Sequence, residues 1–356
     1  MNMRVRTTSS IRPPAREIAS AMISRQSRVC SYAPSGGSEP SAGIGAVPET
    51  CTVLPTTTAR ENPATGSNGE CPEIKRRSIS GLVSRPVDAL RQIDDWDVPF
   101  AVAGVTRPEG TVATRGDTQS AVRLASVSKP VTALAVLIAA EEGVLDLDEP
   151  AGPPGSTVRH LLAHASGLPF DGTVPIGQPG RRRIYSNEGF AILGQHLALR
   201  AEMPFDEYVR AAVCEPLALA LDPAGHPGAG MHACLDDLLV LGRELLEPTL
   251  IAAETLAEMT AVQFPGLDGV LPDFGRFTPL DWGLGVELKS GKSPHWSGSR
   301  TSPQTFGHFG GSGTFLWVDP VARIACAALT TREFGEWAKT AWPRLSDAVL
   351  AEASRG

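Results

Sequence analysis

The sequence predicts an α+β fold, in which an antiparallel sheet is flanked by terminal helices and joined to an all-helical subdomain. Three observations support this prediction. Strand patterns occur near both ends of the part of the chain that is rich in apolar residues, helical patterns fill its middle, and an amphipathic helix closes it. A sheet assembled from both ends of a chain leaves the intervening helices to form a layer or subdomain of their own.

Residues 1–82 are predicted to form a disordered N-terminal tail, and residues 83–356 a single folded domain. The first 80 residues contain one leucine and one aromatic residue, Tyr32, among many Ser, Thr, Pro and Gly residues. This composition buries too little apolar surface to offset the entropy lost on folding. Three origins of the tail stay open: a regulatory segment, an organelle transit peptide, or upstream sequence translated from a wrongly assigned start.

The composition is that of an ordinary globular protein, with 42% hydrophobic and 20% charged residues in a chain of 356. The formal net charge of −7 gives no reason to expect a nucleic-acid partner. No apolar run is long enough to span a membrane, and no secretory apolar region follows the early arginines. The six cysteines include no Cys-x-x-Cys pair, which favours a reduced, cytoplasmic protein without a zinc or disulfide framework. Protein partners and the oligomeric state are left open.

The elements of the folded part follow from local patterns, taken in chain order. Residues 99–117 predict a hairpin, because a Pro-Glu-Gly turn separates two short apolar runs. A buried helix follows the hairpin, and the phrase "STVRHLLAHASGLP" predicts a second helix that begins at Ser156 or Thr157 and ends at Gly167. The remaining predicted helices cover residues 184–203, 204–219, 233–246, 248–259 and 335–352, and two further strands cover residues 312–320 and 322–331.

Residues 124–130 read "LASVSKP" and place a serine three positions before a lysine. Pro130 is tolerated only in the first turn of a helix, and the residues after it are apolar on nearly every face, so the helix is buried. Ser126 and Lys129 therefore lie one turn apart at its exposed tip. A developing alkoxide is favoured at that positive helix end, and a sheltered lysine loses its proton more easily. An N-cap serine followed by a surface lysine is the alternative interpretation of this motif alone.

A second polar pair, Tyr185 and Asn187, opens a helix after a loop rich in Gly and Pro. Two positions apart on such a loop, the two side chains can point into one cleft. Tyr185 would then relay a proton, and Asn187 would hydrogen-bond a substrate amide and Lys129. The alternative is a helix cap next to a packed tyrosine, and the pair alone favours neither.

A third motif, "GHFGGSG", places His308 and Gly310 immediately before a predicted strand. A glycine there lets a substrate approach the sheet edge, and the N–H groups of Gly311 and Ser126 are expected to point at an oxyanion. A rival His-Pro-Gly at 226–228 is rejected, because its proline cannot donate to a strand ladder and no strand follows it.

With these three motifs in this order, the sequence resembles the serine beta-lactamase and penicillin-binding-protein superfamily, specifically its class C beta-lactamase-like branch of esterases and D-amino-acid peptidases. The resemblance covers residues 95–352 and implies the beta-lactamase/transpeptidase-like fold. It implies Ser126 as nucleophile and Lys129 and Tyr185 as the proton-handling pair, with no metal or organic cofactor. It implies that Asn187 is an orienting side chain and that His308 lies beside the cleft. Together with Gly310 and Gly311 from the third motif, these are the expected substrate-binding residues.

The resemblance implies a serine hydrolase that cleaves a small-molecule ester or amide through an acyl-enzyme on Ser126. Where the carboxylate-binding branch has Lys-Thr-Gly, this chain has His-Phe-Gly, which is a poorer seat for the carboxylate of a beta-lactam. Alternatives are a D,D-peptidase or D-aminopeptidase, a weak beta-lactamase and an acyltransferase. A catalytically silent penicillin-binding-like module that only binds ligands is the non-enzymatic alternative.

Two further groups of residues have both a functional and a structural interpretation. His160 and His164 have the spacing of metal ligands on a helix, but no Glu follows His160 to complete His-Glu-x-x-His, so structural histidines are favoured. Three aromatic residues, Trp282, Trp296 and Phe306, line either an acyl pocket or the core, and core packing is at least as well supported.

Overall fold

This computed structural model describes residues 88–353. A six-stranded antiparallel sheet forms the middle layer of their fold. The predicted tail, residues 1–82, lies outside them. The strands are β1 (Ala101–Arg107), β2 (Gly110–Arg115), β3 (Val122–Arg123), β4 (His232–Ala233), β5 (Gly269–Leu271), β6 (Gly275–Phe277), β7 (Glu287–Leu288), β8 (Phe306–Gly310), β9 (Thr314–Asp319) and β10 (Ile324–Thr330). The helices are α1 (Ser128–Glu141), α2 (Val158–Leu162), α3 (Asn187–Ala201), α4 (Phe205–Val209), α5 (Glu215–Leu217), α6 (Leu235–Leu246), α7 (Ala253–Met259) and α8 (Glu336–Ala353), with 3-10 helices at Asp88–Asp95 and Ala125–Val127 and a π-helical turn at Arg210–Cys214.

Segments from opposite ends of the described chain form the six-stranded sheet, whose strand order is β2-β1-β10-β9-β8-β7. Strands β1 and β10 are antiparallel and pair Ala101 with Thr330 and Thr106 with Ala325. The helices from α1 to α7 come between β3 and β5 in the chain. This arrangement confirms the predicted α+β fold, in which strands near both ends of the described chain form one sheet and the helical region lies between them in the sequence.

Successive residues of β10 face two different cores, because side chains alternate across a strand. Ala325, Ala327 and Leu329 belong to the core that contains α1 and α6. Cys326 and Ala328 belong to the core that contains α8 and the first 3-10 helix. Helices therefore cover both faces of the sheet, and every residue of β10 is buried.

Helix α1 is buried along almost its whole length, as its apolar sequence predicts. Residues 128–139 are all buried, and the helix packs against α3, α4 and β8. Its N-terminus therefore reaches the sheet beside β8. Neither α1 nor any other helix within residues 88–353 combines the length and the hydropathy that a membrane crossing requires.

Two local predictions were wrong. Helix α2 begins after Thr157 as predicted but ends at Leu162 rather than Gly167, because His164 adopts a left-handed conformation with φ of 54°. His308 and Gly310 lie inside strand β8, whereas the sequence predicted that they precede a strand; the predicted strand is β9.

A fully buried carboxylate, Glu287, joins β7 to the long loop that follows it. Its Oε1 lies 2.6 Å from Nζ of Lys292, and its Oε2 lies 2.8 Å from both Nε2 of His295 and Nε1 of Trp296. Burial alone would raise the pKa of Glu287, but the neighbouring His295 and Lys292 lower it to about 2. The carboxylate therefore stays ionised and fixes the start of this loop.

We expect Glu287→Gln to lower the free energy of unfolding by about 3–5 kcal/mol near neutral pH, because it leaves buried Lys292 without its counter-charge. A depressed carboxylate pKa stabilises the folded state above the ordinary value of 4.5, and this stabilisation is lost as the pH falls through about 2. Urea denaturation of both proteins at a series of pH values measures the difference. It should be largest at neutral pH and shrink on acidification; equal stabilities at neutral pH would contradict the assignment.

Candidate active site

The turn before α1 carries Ser126 in a strained segment of backbone. Ala125, immediately before it, has φ of 47°, a left-handed conformation that residues other than glycine rarely adopt. Two hydrogen bonds hold Leu124 in place: its N–H donates to the carbonyl of Met231 at 2.9 Å, and its carbonyl accepts from Oγ1 of Thr314 at 2.7 Å. Such strain persists only where the surroundings fix it, and it is concentrated at functional sites.

Gly310 allows the end of β8 to touch this turn. A Cβ at Gly310 would collide with the carbonyl oxygen of Leu124 and would lie 3.2 Å from Cβ of Ala125. The next residue, Gly311, is exposed and has open space beside its Cα. The sequence predicted that the glycine admits a substrate; the structure shows that it admits the turn that carries Ser126.

The side chains of Ser126, Lys129 and Tyr185 meet at the N-terminus of α1. Nζ of Lys129 lies 3.1 Å from Oγ of Ser126, and the hydroxyl of Tyr185 lies 2.7 Å from the same oxygen. Lys129 is fully buried, whereas Ser126 is partly exposed. Ser126, the shortest of the three side chains, is thus accessible to solvent. The amine of Lys129 and the phenol of Tyr185 lie beside it.

Lys129 has two further partners, which decide where its lone pair points. Nζ lies 2.8 Å from Oδ1 of Asn187 and 2.8 Å from the carbonyl oxygen of Gly228, and both oxygens can only accept. Burial lowers the pKa of Lys129 well below 10.5, which favours the neutral amine. A neutral amine has two protons, and these two oxygens take both. In that neutral state the lone pair is left for the hydroxyl of Ser126, whereas in the ammonium state Nζ donates to Oγ of Ser126.

Tyr185 is a proton donor in this arrangement. Burial raises its pKa well above the ordinary value of 10.0, so the phenol keeps its proton. Its hydroxyl also lies 3.4 Å from Nε2 of His308, whose Nδ1 donates to the carbonyl of Phe309 at 2.7 Å. Burial lowers the pKa of His308 to about 3, so the ring is neutral and its Nε2 carries no proton. His308 therefore cannot donate to Tyr185, whose single hydroxyl proton is directed to Oγ of Ser126.

The loop at 226–231 supplies a group that the sequence analysis missed. The His-x-Gly motif at 308–310 lies in strand β8, and the rejected motif at 226–228 lies instead along α1. There the carbonyl of Gly228 accepts from Lys129, and the carbonyl of Pro227 accepts from Oγ1 of Thr132 at 2.6 Å. The available signal was a pair of polar residues, Lys129 and Thr132, on one face of an otherwise apolar helix.

The three aromatic residues considered for an acyl pocket are core residues. Trp282, Trp296 and Phe306 are each at most 3% exposed. Trp282 is the one of the three that touches the site, with its ring centroid 5.8 Å from those of both Tyr185 and His308. The packing alternative therefore describes these residues, and Trp282 supports the back of the site.

Comparison with known proteins identifies the family. The family model described as Beta-lactamase matches residues 88–220 and 218–350, which together make up most of the chain. The chain belongs to the beta-lactamase family. This confirms the resemblance inferred from the three motifs, and it confirms the prediction of an enzyme of the beta-lactamase-related hydrolase type.

Individual known proteins differ widely in their similarity to the chain. A solved beta-lactamase from Mycobacterium bovis is 50% identical, with a TM-score of 0.74, and the match covers 74% of this chain and 99% of that one. A simvastatin synthase mutant from Aspergillus terreus shares the fold at 16% identity and a TM-score of 0.60, over 75% of this chain and 94% of that one. Penicillin-binding protein 4* of Bacillus subtilis is 27% identical over 135 residues, which is 29% of this chain and 30% of that protein. The chain therefore matches less than a third of that curated relative.

Proposed function

We propose that the protein is a serine hydrolase that cleaves esters or small amides through a covalent acyl-enzyme on Ser126. The observation that carries this proposal is the contact of Oγ of Ser126 with both Nζ of Lys129 and the hydroxyl of Tyr185. A serine hydroxyl is a weak nucleophile until an adjacent base takes its proton. The neutral amine of Lys129 is placed to be that base.

Acylation begins when Oγ of Ser126 attacks the carbonyl carbon of the substrate and its proton passes to Nζ of Lys129. The N–H groups of Ser126 and Gly311 are the proposed donors to the resulting oxyanion. As the bond to the leaving group breaks, the leaving oxygen takes the proton of the Tyr185 hydroxyl. The ammonium of Lys129 then returns a proton to the phenolate, so both residues end as they began.

Deacylation uses the same groups on a water molecule. Lys129, neutral again, takes a proton from the water as its oxygen attacks the acyl carbon, and the returning proton restores the hydroxyl of Ser126. The products are a carboxylic acid and the free enzyme. An alcohol that replaces the water would receive the acyl group instead.

The surroundings of Tyr185 favour an uncharged substrate. Its ring stacks on that of Phe170, with centroids 5.9 Å apart, and Phe170 is 50% exposed at the mouth of the site. On β8, His308 is neutral and Phe309 is apolar, so neither supplies the cation that a substrate carboxylate requires. An ester with an apolar group therefore fits this wall better than a beta-lactam or a D-alanyl peptide does.

A fluorophosphonate probe is expected to label the protein at Ser126, because the probe reacts with a serine only when a base activates it. Peptide mapping of the labelled protein measures this. Ser126→Ala should remove both the label and the turnover of esters. Ser120→Ala is the matched control, since Ser120 is half-buried and its hydroxyl donates to Asp117. A wild-type protein that stays unlabelled while it is folded would overturn the acyl-enzyme proposal.

A substrate panel tests the preference for uncharged esters. For p-nitrophenyl acetate and butyrate, kcat/KM is expected to exceed that for nitrocefin and D-alanyl p-nitroanilide by about 10-fold or more, the discrimination typical of one mismatched pocket contact. If nitrocefin is the fastest substrate and Ser126 is labelled, the acyl-enzyme stands and the preference for esters is wrong.

A further inference from the structure

His164 holds both peptide neighbours of Tyr185. Its carbonyl oxygen accepts a hydrogen bond from the N–H of Ile184 at 2.9 Å. Its ring Nδ1 accepts another from the N–H of Ser186 at 3.1 Å. These two bonds fix the chain immediately before and immediately after the residue that carries the phenol.

The imidazole of His164 also packs against the phenol ring itself. The centroids of the His164 and Tyr185 rings are 4.4 Å apart, while Trp282 and Phe190 lie 5.0 and 5.4 Å from the imidazole. His164 is 1% exposed. The backbone and the ring of Tyr185 are therefore held by the same buried residue.

The contact with Tyr185 requires His164 to adopt an energetically unfavourable left-handed backbone conformation. Its φ of 54° lies in the left-handed region, which residues other than glycine adopt rarely, although asparagine, aspartate and histidine do so more often than the rest. In this conformation a residue just beyond α2 presents both its carbonyl and its side chain to residues 184–186. Strain that is maintained next to reacting groups commonly serves a function.

Hydrogen bonding fixes the protonation state of this histidine. An amide N–H can only donate, so Nδ1 of His164 is unprotonated and the ring proton is on Nε2. Burial lowers the pKa of His164 well below 6.5 and so preserves this state.

The other ring nitrogen shows that packing alone does not explain a histidine here. Within residues 88–353, Nε2 of His164 is buried without a hydrogen-bond partner. A buried N–H without a partner is unfavourable, and a phenylalanine would fill the same space without that cost. The acceptor at Nδ1 is the feature that distinguishes histidine from an apolar ring at this position.

We propose that His164 is a positioning residue that aims the hydroxyl of Tyr185 at Ser126 and at the leaving group. This inference rests on the acyl-enzyme function proposed above, in which Tyr185 supplies the proton for the leaving oxygen. His164 touches no reacting atom; it acts by holding the phenol at its 2.7 Å distance from Oγ of Ser126.

Two esters of one acid separate positioning from general loss of structure. An ethyl ester needs a proton on its leaving oxygen, whereas a p-nitrophenyl ester leaves readily without one. In His164→Ala, kcat/KM for ethyl butyrate is expected to fall by about 10²-fold, the effect of a ~1 Å misplacement, and that for p-nitrophenyl butyrate by much less. A merely structural defect would lower both values in the same proportion.

Two further variants divide the contribution of the ring from that of the acceptor. Asparagine tolerates the left-handed conformation and offers Oδ1 where the histidine offers Nδ1, so His164→Asn should recover most of the loss with the ethyl ester. His164→Phe keeps a flat ring but no acceptor and should recover little. If His164→Ala does not fold, as judged by circular dichroism, these two variants carry the comparison.

His160→Ala is the matched control. His160 also packs on an aromatic ring, that of Phe264 at 4.2 Å, and its Nδ1 lies 2.9 Å from Oγ1 of Thr157, but these contacts lie outside the site. The ratio of the two kcat/KM values should stay at the wild-type value in His160→Ala. In a protein that already carries Tyr185→Phe, adding His164→Ala should leave this ratio unchanged, because the hydroxyl that His164 positions is then absent.

The outcomes distinguish this inference from the function on which it rests. If wild-type protein cleaves neither ester and Ser126 is not labelled, the proposed function fails and the inference fails with it. If wild-type protein is active and His164→Ala lowers kcat/KM for the two esters by the same factor, or leaves both values unchanged, the function stands and the positioning role is wrong. The positioning role is equally overturned if His164→Asn is no better than His164→Phe.

Discussion

Replacing Lys129 by methionine is expected to slow the acylation of Ser126 by about 10²–10⁴-fold, the contribution of a positioned general base. Methionine has a similar length and is compatible with complete burial, but it has no lone pair to take the proton of Ser126. Asn187 and Gly228 lose a donor, so a modest loss of stability accompanies the kinetic effect. Single-turnover kinetics with p-nitrophenyl butyrate measure acylation, and thermal unfolding shows whether the variant is folded.

The pH dependence of the same reaction identifies the base. Because burial lowers the pKa of Lys129, the neutral amine forms at lower pH than in a free lysine, and the acylation rate should rise as the pH increases through that lowered value. Below it the amine is protonated and has no lone pair for Ser126. Lys129→Arg, which stays protonated, should be as slow as Lys129→Met. An acidic limb that persists unchanged in Lys129→Met would contradict the assignment.

Gly310→Ala is expected to reduce both activity and stability. The added Cβ would collide with the carbonyl oxygen of Leu124 and with Oγ1 of Thr314, so either β8 or the turn before Ser126 must move. Overpacking of this kind typically costs about 1–3 kcal/mol of stability. A shift of ~1 Å at Ser126 would lower kcat/KM by about 10²-fold. Thermal unfolding and ester hydrolysis measure the two effects.

Gly311→Ala provides the control for this substitution. Gly311 follows Gly310 directly, but a Cβ there has no atom within 4 Å, and alanine keeps the N–H proposed for the oxyanion. We therefore expect a much smaller loss of activity and no loss of stability. Similar losses in the two variants would show that the contact with the Ser126 turn is not what requires glycine at 310.

Much of the fold and the grouping of the site residues follow from local sequence. Ser126 and Lys129 could be placed at a helix tip because a proline and a long apolar run fix where that helix begins and how deeply it is buried. Tyr185 lies in a separate segment, and its predicted place beside Ser126 came from the order of the three motifs. The structure brings these three side chains together; their roles in catalysis await the experiments above.

The features that sequence could not predict depend on tertiary structure. The carbonyl of Gly228 has no signature, because every residue has a carbonyl and only the path of the loop at 226–231 brings this one to Lys129. The role proposed for His164 depends on a left-handed φ just after α2. Strand β8 was missed because "TFGHFGG" is rich in glycine, which has little preference for strands, and its pairing with β9 makes it a strand.

The strand order of the sheet has a consequence for how the protein is made. Strand β10 lies between β1 and β9, so the pairing of the sheet cannot be completed until residue 330 has left the ribosome. Until then β1 presents an unpaired edge of the kind that promotes association between chains. Ser126 is synthesised long before Gly310, which supports its turn, so a nascent chain contains the proposed nucleophile for some time before that support exists. Activity should therefore appear only after translation has passed the last strand.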